Sequence, residues 1–340
     1  MSAAAPLDSV LDLLVVGAGP TGIGLGAEAR KAGLTTLLVD RGPLVASLVD
    51  YPNEMLFFTT RDRLEVAGVK FAIPDDKPNR RQAIVYYRAV VETFGVPLAL
   101  HEDVLEIRKE GELFVVSSQG RGGAVERRAR AVAVATGYFC NPTRLDVPGE
   151  DLPWVHHRYR EPYAHFGESV VVVGGGNAGA ETALELFRHG AHVTIVHRHP
   201  ELKATIKYWV KPDLENRIAE GSIRALLAAQ PVAFEDGGVR CRSTVGEVFL
   251  PAEAAYILIG YAPETEILER VGVTIDPASG APDFDAESCE TGVSGLYVAG
   301  TVQAGRETHR IFIENSREHC VRIVEHLKAR LRGTPIAAGI

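Results

Sequence analysis

Cysteine is scarce in this chain: 340 residues hold four, Cys140, Cys241, Cys289 and Cys320. None are spaced Cys-x-x-Cys, and no Cys/His pair has the spacing of a structural zinc site. A disulfide scaffold, a metal centre and a vicinal dithiol are therefore not expected, and the chain reads as a protein of the reducing cytoplasm. Positive charge is also short: 36 Lys and Arg face 44 Asp and Glu, a net charge of -8, which argues against nucleic acid or an anionic membrane as partner. Long apolar runs are missing. The best one, residues 13–27, is broken by five glycines, so no membrane span is expected. The first residues carry Asp8 and Asp12 and no basic stretch, so a signal peptide is not expected. What remains is ordinary globular composition, 46% hydrophobic and 24% charged. That length exceeds what one core usually supports, which implies two domains, with fraying expected at the tail, residues 333–340.

The dominant pattern is an internal duplication. Apolar Leu11–Val16 leads into Gly17-Ala-Gly19-Pro20-Thr21-Gly22, and apolar Ser169–Val173 leads into Gly174-Gly-Gly176-Asn177-Ala178-Gly179. Each motif glycine has a partner 157 positions later: 17 to 174, 19 to 176, 22 to 179. Amphipathic helices are expected at 23–32 and 180–189, each closed by a glycine, Gly33 or Gly190, and followed by a strand at 35–39 or 192–196. Strand, glycine motif, helix and strand in that order describe a dinucleotide-binding fold, present here twice. Further strands are expected at 112–118, 124–135 and 255–259, with a strand-end turn at Gly300 and a closing helix over 310–330. The architecture expected is α/β, with one Rossmann-like domain inserted in another. Residues 1–140 and 261–340 make the first domain and 141–260 the second. Pro142 and Pro263 mark the crossings.

Glycines let a pyrophosphate approach the backbone, and a helix N-terminus offers it free N–H groups and partial positive charge. The two motifs diverge at the end of the second strand. Twenty-three places after Gly17 stands Asp40, and twenty-three places after Gly174 stands His197, followed by Arg198. A carboxylate there accepts bonds from ribose hydroxyls and repels a 2′-phosphate, whereas a His-Arg pair suits one. The second site thus calls for NADPH, held by Gly174, Gly176, Asn177, Ala178, Gly179, His197 and Arg198, with Lys203 and Lys207 adding charge. The first site calls for a dinucleotide lacking that phosphate. A nicotinamide donor needs an electron acceptor, so FAD is the expected occupant. The irregular segment 42–60, rich in Leu, Phe and Tyr, and the turns Thr136-Gly137 and Gly300-Thr301 are expected to meet the flavin. His156, His157, Arg158 and Arg160 form a basic cluster at the first crossing, read equally as an anion attractor or a solvated linker.

Several stretches resemble the low-molecular-weight thioredoxin reductases and, more closely, the bacillithiol disulfide reductase family. They include Arg41-Gly-Pro-Leu-Val-Ala-Ser-Leu-Val-Asp-Tyr-Pro, Phe57-Phe-Thr-Thr, Lys77-Pro-Asn-Arg, Ala135-Thr-Gly-Tyr, Ile206-Lys-Tyr-Trp and Ile311-Phe-Ile-Glu-Asn. The resemblance runs from about residue 11 to 325. It implies a homodimeric or larger FAD enzyme that takes hydride from NADPH and reduces a small-molecule disulfide. It also implies an FAD set of Gly17, Gly19, Pro20, Thr21, Gly22, Asp40 and Arg41, then Ser47, Leu48, Thr59 and Val104, then Thr136, Gly137, Gly300, Thr301 and Ile311.

Two departures from the pattern bear on mechanism. The thioredoxin reductases' dithiol is replaced by His156-His-Arg-Tyr-Arg160. The bacillithiol disulfide reductases often place a Cys just before the last motif glycine, where this chain has Thr21. A hydroxyl forms no mixed disulfide. Cys140, expected near the flavin, is the candidate substitute thiol, although a lone strand-end Cys more often packs as a small hydrophobe. Two other readings stay open: a flavin reductase passing electrons to ferredoxin, quinone or oxygen, and a low-turnover redox sensor.

Overall fold

The structure, a computed structural model, describes residues 9–333, so residues 334–340 of the expected frayed tail lie outside it. The chain divides into two compact units. The first comprises residues up to Val49, Glu54–Asn141 and Tyr261 onward, and the second comprises Asp50–Asn53 and Pro142–Gly260. Asp50–Asn53, expected in the first domain, instead belongs to the second unit. Arg158 and Arg160 both pair with Asp50, and the Asn53 amide donates to the Arg160 carbonyl.

In the first unit the sheet runs Leu98–Leu100, Thr36–Asp40, Leu11–Val16, Gly123–Val134, Leu113–Gly120, Glu102–Glu110, with Leu296–Val298 also paired to Gly123–Val134. Leu11–Val16 is apolar and buried at every position but Asp12 near its start, as suits a strand covered on both sides. It pairs in parallel with Thr36–Asp40 on one side and with the end of Gly123–Val134 on the other. The long strand 123–134 does double duty. Its first half pairs antiparallel with Leu113–Gly120, and its second half joins the parallel sheet. The expected strands 112–118 and 124–135 are these two elements.

The first motif helix, Pro20–Lys31, starts three residues before the expected position because Pro20 occupies the first helical turn, where its missing N–H costs nothing. Its glycines let it pack closely. A Cβ on Gly26 would lie 2.7 Å from Leu38, and one on Gly24 would lie 2.9 Å from Cys320 Sγ of the closing helix. That closing helix runs Ile313–Leu331 and begins later than expected. Asn315 fixes its start, taking the Phe312 amide on Oδ1 (2.8 Å) and donating from Nδ2 to the Arg310 carbonyl.

The second unit repeats the plan with a five-stranded parallel sheet: Arg224–Leu227, His192–His197, Ser169–Val173, Ala254–Ile257, Val155–His156. The second motif helix, Asn177–Arg188, packs on one face and buries Ala180, Ala183, Leu184 and Leu186 against Val170, Val172 and Ile195. A three-stranded antiparallel sheet, Ala229–Glu235, Gly238–Ser243 and Gly246–Pro251, covers the other face through Phe234, Val239 and Leu250. No sequence signal singled out that sheet. The expected architecture, two Rossmann-like folds with one interrupting the other, is the one observed. Among the described residues no helix is long and apolar enough to cross a membrane.

Candidate functional site

In the first unit the motif turn depends on the absence of side chains. A Cβ on Gly22 would sit 1.9 Å from the Gly17 carbonyl oxygen, and one on Gly17 would sit 2.5 Å from that of Ala135. Gly19 has nothing within 4 Å of its Cβ position, so the backbone there faces open space. The first intrahelical bond runs from the Ile23 amide to the Gly19 carbonyl, which leaves the Thr21 and Gly22 amides free for an anion. At the end of the second strand, Asp40 accepts the Ala18 amide on Oδ2 (2.6 Å) and the Gly42 amide on Oδ1 (2.7 Å). Both carboxylate oxygens keep a further lone pair.

Three turns meet at the ends of these strands. The Cβ position of Gly300 lies 2.9 Å from Thr21 Oγ1, and that of Gly137 lies 3.4 Å from Thr301 Oγ1. Thr136 Oγ1 is buried with no hydrogen-bond partner among the described residues. A buried hydroxyl left over from the protein's own bonding calls for a ligand group. Nearby, Val45 donates its amide to the Ala18 carbonyl, which folds the segment bearing Ser47 and buried Leu48 back onto the motif. Val104 packs against the core cluster that contains Val16 and Val39. Thr59 is buried and donates to Glu314 Oε2 (2.8 Å), in the first turn of the closing helix two residues beyond Phe312, which follows Ile311.

The closing helix contributes residues that no motif marked. Ser316, His319 and Cys320 fall at i, i+3 and i+4 on one face. The Ser316 and Thr21 hydroxyls bond at 3.0 Å, and Cys320 Sγ donates to the Thr21 carbonyl (3.4 Å). His319 Nδ1 accepts the Gly300 amide hydrogen (3.1 Å). Burial holds the His319 pKa down at about 4, so the ring is neutral at pH 7 and carries its proton on Nε2. Burial pushes the Cys320 thiol far up, which leaves it inert.

Cys140 is half-buried beside Arg41, next in sequence to Asp40, and Arg41 is paired with Glu264 (2.9 Å). Burial raises its pKa more than Arg41 lowers it, which disfavours thiolate. In the basic cluster at the crossing the two arginines are paired, and burial lowers the pKa of both histidines. Arg158 and Arg160 bind Asp50, and His157 lies 3.6 Å from Glu150. Among the described residues, no group of three or more His, Cys, Asp or Glu could hold a metal ion.

In the second unit the turn repeats nearly atom for atom. A Cβ on Gly179 would be 2.0 Å from the Gly174 carbonyl oxygen, and one on Gly174 would be 2.3 Å from that of Leu258. The Ala180 amide bonds the Gly176 carbonyl, freeing the amides of Asn177, exposed Ala178 and Gly179. His197 is buried, and its Nδ1 accepts the Gly175 amide hydrogen (3.2 Å). Burial lowers its pKa, so the ring is neutral, and its buried Nε2 has no partner among the described residues. The positive charge expected of the His197-Arg198 pair therefore comes from exposed Arg198, with Lys203 nearby. The Lys203 amide donates to the Gly175 carbonyl (3.1 Å), and its stem lies 3.8 Å from the Cβ position of Gly176.

These paired glycine cradles can be compared with known proteins. The description Pyridine nucleotide-disulphide oxidoreductase matches residues 14–300. The chain belongs to that family. It is 34% identical to the bacilliredoxin reductase Bdr of Bacillus subtilis (strain 168), over 93% of this chain and 97% of that protein. The solved bacillithiol disulfide reductase Bdr from Bacillus cereus superposes with a TM-score of 0.92 at 32% identity, over 95% of this chain and all of that one. A ferredoxin–NADP reductase of Ignicoccus hospitalis is 28% identical, over 86% of this chain and 90% of that protein. Within its family the chain groups with the bacillithiol disulfide reductases, has the thioredoxin-reductase-like fold, and is an oxidoreductase that uses FAD and NADPH.

Proposed function

We propose that FAD occupies the first cradle and NADPH the second, and that the electrons go to the disulfide of a small cytoplasmic thiol of bacillithiol type. One observation carries the assignment of cofactors to cradles. The same backbone amide of each motif, Ala18 or Gly175, is held by Asp40 in one fold and by neutral His197 in the other. A carboxylate suits a free ribose, whereas a neutral ring beside Arg198 and Lys203 suits a 2′-phosphate. The substrate class rests on the relatives named above, whereas the expectation of a homo-oligomer rests on the sequence resemblance alone. The reaction is NADPH + H⁺ + RSSR → NADP⁺ + 2 RSH.

When bound, FAD supplies the two-electron relay between nicotinamide and acceptor. The chain's residues set up that relay. The amides of Thr21 and Gly22 and the carboxylate of Asp40 bind the pyrophosphate and ribose. Thr136 Oγ1, without a partner among the described residues, and Thr301 would hold the remainder. His319 keeps the Gly300 turn in register with Thr21. Neither nearby thiol takes the place of Thr21, whose hydroxyl is committed to Ser316: Cys320 is inert, and burial keeps the Cys140 thiol protonated despite neighbouring Arg41.

Thr21 is also the observation that favours a second reading, a reductase that hands electrons to ferredoxin or a quinone. The experiment is anaerobic reduction of the purified yellow protein with NADPH, then reoxidation by bacillithiol disulfide, ferredoxin, a quinone or oxygen. Fast reoxidation by the disulfide supports the first reading. Reoxidation only by ferredoxin or quinone replaces it, and failure of NADPH to reduce the flavin at all leaves the sensor reading. Thr21→Cys sharpens the result, because the smaller side chain fits against Gly300 and sits at a helix start that lowers a thiol pKa. It should raise disulfide turnover and leave NADPH-to-flavin transfer unchanged.

A further inference from the structure

Two aromatic rings stand in solvent beside the second glycine turn. Tyr208 is 83% and Trp209 51% exposed, whereas Ile206 and Val210 around them are 4% and 8% exposed. The two aliphatic residues anchor the segment in the core of the second unit, and the chain between them turns both rings outward. The rings meet at right angles, centroids 4.8 Å apart, so the edge of one supports the face of the other. Lys207 Nζ lies 5.9 Å from the Trp209 centroid and 2.6 Å from Glu181 Oε1.

The segment is fastened to the start of the second motif helix. Asn177 Oδ1 accepts the Lys207 amide (2.9 Å), and Asn177 Nδ2 donates to the Thr205 carbonyl (3.2 Å). Asn177 is the first residue of that helix, where free amides would receive a pyrophosphate. Fixing two large rings in water by a two-way clamp to an anion-binding helix end gives the fold no hydrophobic return. Such rings mark a binding surface. The charges around it choose the occupant. With Lys207 matched by Glu181, Lys203 over Gly176 and Arg198 at the strand end supply the charge that favours a polyanion carrying flat heterocycles.

We propose that Tyr208 and Trp209 form the outer wall of the NADP(H) site, with Trp209 stacking on a ring of the dinucleotide. This rests on the assignment of NADPH to the second cradle. The test uses the FAD-loaded full chain and NADP⁺. Trp154, which packs against Phe234 in the core, is the other tryptophan, so Trp154→Phe isolates the emission of Trp209. NADP⁺ should change that emission with the same midpoint that calorimetry gives for binding. Trp209→Ala should weaken binding about fivefold or more, the usual range for one lost stacking contact, while Trp209→Phe restores most of it. Repeating the titration with 2′,5′-ADP identifies the ring: a full response assigns adenine, and a response needing NADP⁺ assigns nicotinamide. Calorimetric binding of NADP⁺ by the parent, with silent Trp209 emission and unchanged affinity in Trp209→Ala, overturns the proposal but leaves the cradle assignment standing. It would also point to a protein partner for the aromatic pair. Absence of NADP⁺ binding by the parent sinks both.

Discussion

The two nucleotide folds of this chain share a turn and differ at one acceptor. In each, the amide of the residue after the first motif glycine donates to the side chain at the end of the second strand: Ala18 to Asp40 Oδ2 at 2.6 Å, and Gly175 to His197 Nδ1 at 3.2 Å. The two pairs are related by the same offset of 157 positions as the glycines. The scaffold therefore needs an acceptor at that place, and any group with a lone pair serves. Charge is what the place leaves free to vary. A carboxylate makes one cradle hostile to a 2′-phosphate. A buried, neutral imidazole leaves the other to Arg198 and Lys203. Cofactor choice is thus separable from the architecture of the turn.

The harshest way to break the comparison is to fill one turn at a time. Gly22→Ala forces a Cβ to within 1.9 Å of a backbone oxygen, and Gly179→Ala forces one to within 2.0 Å. Neither turn can accommodate this without moving its helix start. Gly22→Ala should yield protein that fails to retain FAD. Gly179→Ala should stay yellow, with one FAD per chain, and lose reduction by NADPH. Absorbance at the flavin band and anaerobic stopped-flow reduction read the two losses separately. Equal loss of flavin from both variants would mean that the cradles are not assigned as proposed.

A gentler change tests the acceptor itself. His197→Asp keeps a lone pair for the Gly175 amide but adds negative charge where the 2′-phosphate is expected. It should move the preference for NADPH over NADH toward NADH by tenfold or more, on the order of one charged hydrogen bond, about 1.5–3 kcal/mol. Arg198→Ala should act in the same direction and by less, because Lys203 remains. The ratio of reduction rates with NADPH and NADH measures both. A wild type reduced equally fast by the two nucleotides would contradict the assignment.

Much of this was legible in the residues. The duplication, the equivalence of Asp40 and His197 and the interrupted domain plan are written in spacing, because glycine turns and capped helices are local. What spacing did not show was tertiary. His197 looked like a donor of positive charge, but its side chain points under the glycine turn, where burial keeps it neutral. The contribution of Ser316, His319 and Cys320 to the first turn depends on which face of the closing helix meets Thr21, and no motif marks that face. The three-stranded sheet at residues 229–251 alternates too weakly to announce itself, since its strands bury only a few side chains such as Phe234, Val239 and Leu250. Asp50–Asn53 changed unit through ion pairs to Arg158 and Arg160, which lie more than a hundred positions away.

The smallest effect separates the folds by pH. His319 Nδ1 holds the Gly300 amide, and burial lowers its pKa from 6.5 to about 4. In the unfolded chain the same side chain titrates near 6.5. Above that value neither state binds the proton, and the contribution of neutral His319 to stability is fully present. As pH falls from about 6.5 toward 4, the unfolded state takes up a proton that the folded state refuses, so stability declines. Near 4 the folded ring is protonated, Nδ1 can no longer accept, and the Gly300 turn is released. His319→Asn puts Oδ1 where Nδ1 was and keeps the acceptor without the titration. The variant should therefore show a shallower fall in Tm than the wild type between pH 7 and about 4.5, with flavin retained at both ends. His197 is also lowered by burial, so His197→Asn should flatten the curve in the same sense, through Gly175 in the second fold. Carboxylates titrate in the same range and contribute equally to every variant, so the difference between curves is the quantity to read. Identical slopes for wild type and His319→Asn would show that the folded ring takes up its proton as readily as the unfolded one, and the burial-lowered pKa assigned to His319 would have to be given up.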